Sequence, residues 1–270
     1  MRPDPSELLA LAERVAREAG EMLLAGAGDL RLDVTTKTSG TDMVSEMDRA
    51  SEALIVKGIL AARPDDAILG EETGSRDGTS GVRWVIDPLD GTTNYLYRHP
   101  IWAVSVGVEV DGRVDAGVVV APGLGEVFTA ERGGGAWLNG SPITVSGGTD
   151  LASALVGTGF GYDASRRGRQ AAVLPHLLPA VRDIRRNGVA SLDLCWVACA
   201  RLDGYFEAGG QPWDVAAGLL IAAEAGAVAA GLDGGPVSPE SVMVAAPGVA
   251  SALFDLLIGA GAAEPLEPPP

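Results

Sequence analysis

The tightest constraint on the fold is the stretch AVSVGVEVDGRVDAGVVVAP, residues 103–122, in which two Val-rich runs flank Asp111-Gly112. Such a pair between β-branched runs of similar length reads as a tight hairpin, because Gly accepts the positive φ that a two-residue turn requires. VRWVIDP begins at Val82, and GEVFTAERG follows from Gly125 ahead of a further turn at Asn139-Gly140. Consecutive strands joined by short turns predict an antiparallel sheet.

Helices flank this sheet in sequence. Leu8, Leu11, Val15, Ala19 and Met22 recur at helical spacing, with Asp4 and Glu7 as a capping-box pair around Pro5. After Gly28 a polar, Thr- and Gly-rich stretch runs into a second amphipathic helix carrying Leu54, Ile55 and Ile59, with Asp48 near its start. From about residue 151 short apolar strands such as ALVGTGF alternate with helices expected at 166–180, 190–203 and 213–226. The pattern predicts an α/β protein: an α+β N-terminal half over 1–150 and an α/β C-terminal half over 151–270. The tail EPLEPPP is expected to be disordered, and no internal repeat is evident.

The chain has 270 residues with 47% hydrophobic content, enough to bury a large core. Its 36 acidic residues against 20 basic ones give a formal charge of −16, which argues against general binding of nucleic acid or anionic membrane. Cys195 and Cys199 stand four residues apart in a helical stretch without further thiols or histidines, as reduced core cysteines do. His99 and His176 match no ligand pattern. The opening residues lack the layout of a signal peptide and no apolar run reaches membrane-spanning length, so a cytoplasmic location is expected.

The most informative run for chemistry is Trp84-Val-Ile-Asp87-Pro88-Leu89-Asp90-Gly91-Thr92-Thr93-Asn94. An apolar strand ends there in two carboxylates that bracket a stiff Pro, so both side chains and the Leu89 carbonyl can converge on hard cations. Gly91, Thr92 and Thr93 then open a helix whose first N–H groups suit a phosphate. Taken alone, Asp-Pro-x-Asp-Gly-Thr is also an ordinary turn signal. Further carboxylates are at hand: Gly70-Glu71-Glu72-Thr73 follows an apolar run, and Gln211-Pro212-Trp213-Asp214 places an aspartate at the start of an apolar helix.

GEET, DPLDGTTN and PWDVAAG together resemble the inositol monophosphatase family in order and spacing. The similarity extends through VTTKTSGTDMVSEMDRASE and GVASLDLCWVACARLDGYFEAG over nearly the whole chain. It looks most similar to the bacterial inositol-1-monophosphatases, by GTGFGYDASRRGRQ and RDIRRNGVASLDLC. The resemblance implies a layered αβαβα sandwich of the sugar-phosphatase type with the active site between its halves. It also implies a magnesium-dependent, lithium-sensitive phosphomonoesterase that uses two or three Mg2+ ions and forms a homodimer.

Residue by residue, the resemblance implies that Glu71, Asp87 and the Leu89 carbonyl hold one ion, and that Asp87, Asp90 and Asp214 hold another. Thr92, supported by Asp48 and near Glu71, would orient and deprotonate the attacking water without a covalent phosphoenzyme. Asp90, Glu207 and Asp214 would accept hydrogen bonds from ring hydroxyls, opposite a wall formed by Gly188, Val189 and Ala190. Gly91 and Thr92 would meet the phosphate, and Arg185 would contact substrate or a dimer partner. Ser45 stands where the family usually has threonine, and Lys37 falls in a stretch matching a mobile loop. Inositol 1-phosphate is the expected substrate. Histidinol phosphate, fructose 1,6-bisphosphate and phosphoadenosine phosphate remain alternatives, as does a role as a partner of the transcription machinery.

Overall fold

A computed structural model describes residues 3–27, 40–161 and 164–263, without the side chains of 40–45. Lys37, the Ser45 side chain and the proline-rich tail therefore lie outside what is described. The first half contains α1 (Pro5–Ala27), α2 (Gly40–Ala62), β1 (Ala67–Gly70), β2 (Gly74–Arg76), β3 (Val82–Asp90) and α3 (Thr92–Leu96). It continues with β4 (Ala103–Val110), β5 (Arg113–Ala121), β6 (Glu126–Glu131), β7 (Ala136–Leu138) and β8 (Ser141–Ile143). Then come β9 (Leu155–Thr158), α4 (Ala164–Ala171), α5 (Leu174–Leu177), β10 (Asp183–Arg185), α6 (Ala190–Ala198) and β11 (Gly204–Ala208). The chain closes with α7 (Pro212–Glu224), β12 (Val228–Ala230), β13 (Ser241–Ala245) and α8 (Pro247–Gly259).

Eight strands form the first sheet in the order β2-β1-β3-β4-β5-β6-β7-β8, and five form the second, β10-β9-β11-β13-β12. The expected hairpin is present, with Asp111 at φ 53° and Gly112 at φ 80°, and the same chemistry recurs at Asn139 and Gly140. The first sheet is not purely antiparallel, because β1 runs parallel to β3.

Four apolar interfaces separate five layers in the order αβαβα. Leu8, Val15 and Leu23 of α1 and Ile55 and Ile59 of α2 pack on Val104, Val106 and Val108 of β4. The opposite face of that sheet, with Val119 and Phe128, meets Cys195 of α6 and Ala217 and Ile221 of α7. The far sides of the same two helices, at Leu194, Val197 and Val215, cover Tyr205 and Val244 of the second sheet. Met243 and Phe206 then face Leu177, Val249 and Leu253 in the outer layer. Lying between two sheets, α6 and α7 are apolar almost all round, as a helix buried on every side must be.

Alternation along β4 decides how closely α7 can sit. Even residues face α1, so Ala103, Ser105 and Gly107 face α7. Gly107 pairs with Gly117 of β5. A Cβ at Gly107 would lie 2.9 Å from Ala216 Cβ, and one at Gly117 3.0 Å from Ala217 Cα. Two facing glycines therefore let the helix backbone rest directly on the strands, at the end where α7 begins.

Three helix expectations shift. The single helix expected over 166–180 is α4 and α5, with Pro175 in the first turn of α5. α6 stops at Ala198 rather than 203, where Ala200 takes φ 64°. Asp48 lies well inside α2, because the polar residues before it are already helical. Among the described residues no helix is long and apolar enough to cross a membrane.

Candidate active site

A cleft of about 350 Å³ opens where β1 and β3 end and where α3, α6 and α7 begin. The two strands are parallel, and the crevice beyond the carboxyl ends of parallel strands is where ligands bind in such sheets. Glu71, first after β1, donates its N–H to the Ile86 carbonyl at 3.2 Å, which seats it beside Asp87.

Strict alternation would send Asp87 and Asp90 to opposite faces of β3. It does not, because β3 bulges: Asp87 pairs with Ser105 and Asp90 with Ala103, three steps on one strand against two on the other. The extra residue restores phase, so both carboxylates share the face of Ala103 and Ser105, toward α7. Ser51 Oγ from α2 holds the bulge through the Pro88 carbonyl at 2.9 Å. As the sequence suggests, the strand ends in its two carboxylates: β3 runs through Asp90.

Gly91 caps α3 at φ 92°, and a Cβ there would come within 2.7 Å of Val189 Cγ2, so no other residue fits without strain. Thr92 Oγ1 donates to the Leu89 carbonyl at 3.1 Å. Asn94 Nδ2 donates to the carbonyls of Ile101 (2.7 Å) and Asn187 (2.8 Å), tying this turn to the Gly188–Ala190 wall. Asp214 is not the N-cap of α7. It occupies the third helical position, where Oδ2 accepts from the N–H of the true cap, Gln211, at 2.7 Å. Ser105 Oγ donates to the neighbouring Trp213 carbonyl at 3.4 Å.

A model of the inositol monophosphatase family matches residues 4–262. The chain belongs to this family. It is 41% identical over 288 residues to an inositol-1-monophosphatase of Mycobacterium bovis, covering 98% of this chain and 99% of that one. It is 43% identical over 231 residues to a protein of Pasteurella multocida named Nus factor SuhB, covering 84% and 86%. The structure of an inositol monophosphatase from Anabaena superposes with a TM-score of 0.85 at 34% identity, over 94% of this chain and 96% of that one. Membership in the inositol monophosphatase family implies a phosphatase hydrolase that depends on metal.

The electrostatics of this inositol monophosphatase family member fit that chemistry. Burial pushes Asp87 well above the usual carboxylate range, and the charges of Asp90, Glu71, Asp214 and Asp48 push it further. Asp90 is raised by burial and then Asp214, against the opposing hydrogen bonds of Ser191. Glu71 is pushed up to about 7 by burial and then Asp214, and Asp48 to about 8 by burial and then Glu71. Asp48 Oδ1 is buried without a hydrogen-bond partner among the described residues. Buried carboxylates crowded in this way either hold protons or surround cations. Four carboxylates and one backbone carbonyl form an all-oxygen donor set, which suits a hard divalent ion. As the side chains stand, no three of the described acidic residues close around one point. Asp90 and Asp214 each give one oxygen to a backbone N–H, from Ser191 and Gln211.

The cleft brings together Glu71, Asp87, Leu89, Asp90, Gly91, Thr92, Gly188, Val189, Ala190, Glu207 and Asp214. Asp48 lies behind Glu71 rather than on the lining. Arg185 is outside: its Nη1 pairs with Asp183 Oδ2 at 2.6 Å, and the next residue, Arg186, lines the cleft. Several contributors lie inside the similar stretches but are not among the site residues named from the sequence. Glu52 of α2 accepts from the N–H groups of Glu72 (2.9 Å) and Thr73 (2.8 Å), passing Gly70, where a Cβ would strike its carboxylate. Asp193, pushed up to about 8 chiefly by burial, accepts from Asn187 Nδ2 at 2.6 Å. Tyr205 donates its hydroxyl to Glu207. Helical spacing alone could have grouped Ser191 and Asp193 with the wall, one turn from Gly188.

Proposed function

We propose that the chain hydrolyses inositol 1-phosphate to inositol and inorganic phosphate, and that Glu71, Asp87, Leu89, Asp90 and Asp214 hold two or three Mg2+ ions for the reaction. The reading rests on one observation: acidic residues from three separate elements, with Asp87 and Asp90 buried, and a backbone carbonyl line a single cleft beside a glycine-led helix start. Magnesium, when bound, supplies Lewis-acid charge that makes water a nucleophile at neutral pH and steadies the departing oxygen.

The chain's own groups perform the rest. Thr92 gives its hydroxyl proton to the Leu89 carbonyl, so its lone pairs can accept from the attacking water and aim it. Glu71, whose pKa burial and then Asp214 raise to about 7 before any ion binds, would help draw the proton from that water, with Asp48, itself raised partly by Glu71, standing behind it. Gly91 and Thr92 meet the phosphate. Glu207, Asp90 and Asp214 accept from ring hydroxyls, and the Gly188–Ala190 wall excludes water from the opposite side. In this reading residues 1–150 supply most ion-holding groups and 151–270 the ring wall and Asp214, in a cytoplasmic, lithium-sensitive homodimer.

Phosphate release from inositol 1-phosphate, histidinol phosphate, fructose 1,6-bisphosphate and phosphoadenosine phosphate, with magnesium and with or without lithium, tests this. The highest kcat/KM on inositol 1-phosphate supports it, and preference for another ester replaces the ring assignment. The name of the Pasteurella relative favours a second reading, a part in transcription. A stoichiometric polymerase complex, retained in Asp87→Asn and without magnesium-dependent turnover of any ester, would put that reading first.

A further inference from the structure

Glu207 comes to the cleft with a partner that phosphate hydrolysis does not require. β11 carries Tyr205 and Glu207 two residues apart, so strand alternation sends both side chains to the face that meets α6 and α7. Tyr205 is 1% exposed and packs with Leu194, Val197, Val215 and Val244, yet it lines the cleft together with Glu207. Its hydroxyl donates to Glu207 Oε2. Among the described residues Oε1 takes no hydrogen bond.

The neighbouring strand makes room for this pair. Gly157 of β9 lies opposite Tyr205, and a Cβ there would stand 3.1 Å from the ring. Gly159, two residues on, passes against the Glu207 carboxylate, where a Cβ would stand 2.1 Å from Oε2 and 2.3 Å from Oε1. A side chain at 159 would expel the carboxylate, and one at 157 would crowd the ring.

Burial raises the Glu207 pKa, and the Tyr205 hydroxyl opposes that rise more than any other group. A buried Tyr hydroxyl needs an acceptor in any fold, and many such bonds do no more than satisfy it. Here the acceptor is a carboxylate at a ligand cleft, within electrostatic range of Asp90 and Asp214. A donor on a rigid, packed ring fixes one oxygen and the plane of the group, and leaves the other oxygen for a ligand.

We propose that Tyr205 is a positioning residue for ring recognition: by holding Glu207 Oε2 it reserves Oε1 for a hydroxyl of the substrate ring, and so sets the preference for a polyol ester over one without hydroxyls. This rests on the phosphatase reading above and adds the group that makes Glu207 selective.

The test compares inositol 1-phosphate with cyclohexyl phosphate, a ring of the same size without hydroxyls, in the wild type and in Tyr205→Phe, which removes one oxygen and keeps the packing. The ratio of their kcat/KM values should favour inositol 1-phosphate in the wild type and fall about tenfold in Tyr205→Phe, the scale of one hydrogen bond to a charged group. The loss should appear in KM more than in kcat, because the ring is held alike before and during reaction. In Glu207→Ala the ratio should already be low, and adding Tyr205→Phe should lower it no further. A merely structural hydroxyl would lower the melting temperature and both kcat/KM values together, leaving their ratio unchanged. An unchanged ratio in Tyr205→Phe overturns the proposal, as does a wild type without preference between the esters or a double variant whose losses add. If neither ester is hydrolysed, the phosphatase reading fails, while calorimetric affinities for the same two esters give the ratio and decide the role of Tyr205.

Discussion

Ser191 donates to Asp90 Oδ2 twice, from its backbone N–H at 2.8 Å and from its Oγ at 2.6 Å, across a separation of 101 residues. The first turn of α6 thereby fixes the rotamer of a carboxylate presented by the β3 bulge. Groups that orient a ligand carboxylate commonly matter about 10- to 100-fold for metal affinity or activity. Ser191→Ala keeps the backbone donor and removes the hydroxyl. It should raise the magnesium concentration for half-maximal phosphate release by about tenfold, while the melting temperature moves little. An unchanged magnesium titration would show that Ser191 only packs.

Asp87 is surrounded by four other acidic groups and is fully buried in their midst. Asp87→Asn should lower magnesium-dependent turnover by more than about a hundredfold. Because the substitution removes a crowded negative charge, the metal-free protein should melt at the same temperature or higher. A folded variant with near-normal turnover would mean that Asp87 holds no ion.

Stability should fall as pH rises in the metal-free protein. Asp48 and Asp193 are pushed up to about 8 and Glu71 to about 7, from reference values of 3.8 and 4.5. Over that window the folded state binds more protons than the unfolded chain, so unfolding becomes easier with each increment of pH. Melting curves without metal should therefore shift downward from pH 5.5 to pH 8.5. Magnesium should restore more at the higher pH, since it competes with those protons. A flat or rising trend without metal would contradict the raised values.

The close seat of α7 predicts a packing effect that reaches the chemistry. Gly107→Ala places a methyl 2.9 Å from Ala216 Cβ and should cost about 1–3 kcal/mol in urea unfolding. It should also lower kcat/KM, because α7 carries Asp214 in its first turn. Adding Ala216→Gly makes room and should recover activity, despite a helix-propensity cost of about 1 kcal/mol. Failure of the double variant to regain activity would separate the glycine pair from the positioning of Asp214.

Local chemistry made much of this molecule legible. Asp111-Gly112 and Asn139-Gly140 announce their turns because few other pairs accept positive φ at both positions. Gly91 announces the start of α3 for a related reason. Arg185 and Arg186 are indistinguishable as letters, yet one turns to Asp183 and the other to the cleft. Neighbours along an extended backbone point opposite ways, and only the position of the sheet says which way is inward.

By itself the sequence determined the long central strands of the first sheet, the principal turns, the acidic motifs and the family, since each is written in residues close together along the chain. Tertiary structure alone decided that the bulge in β3 turns Asp87 and Asp90 to one face. It also decided that Ser191 reaches Asp90, that Glu52 supports the turn after Glu71, and that Gly107 and Gly117 bring α7 onto the sheet. Those outcomes depend on strand register and on contacts between distant segments, and neither has a local signature: register emerges only when whole faces are buried together.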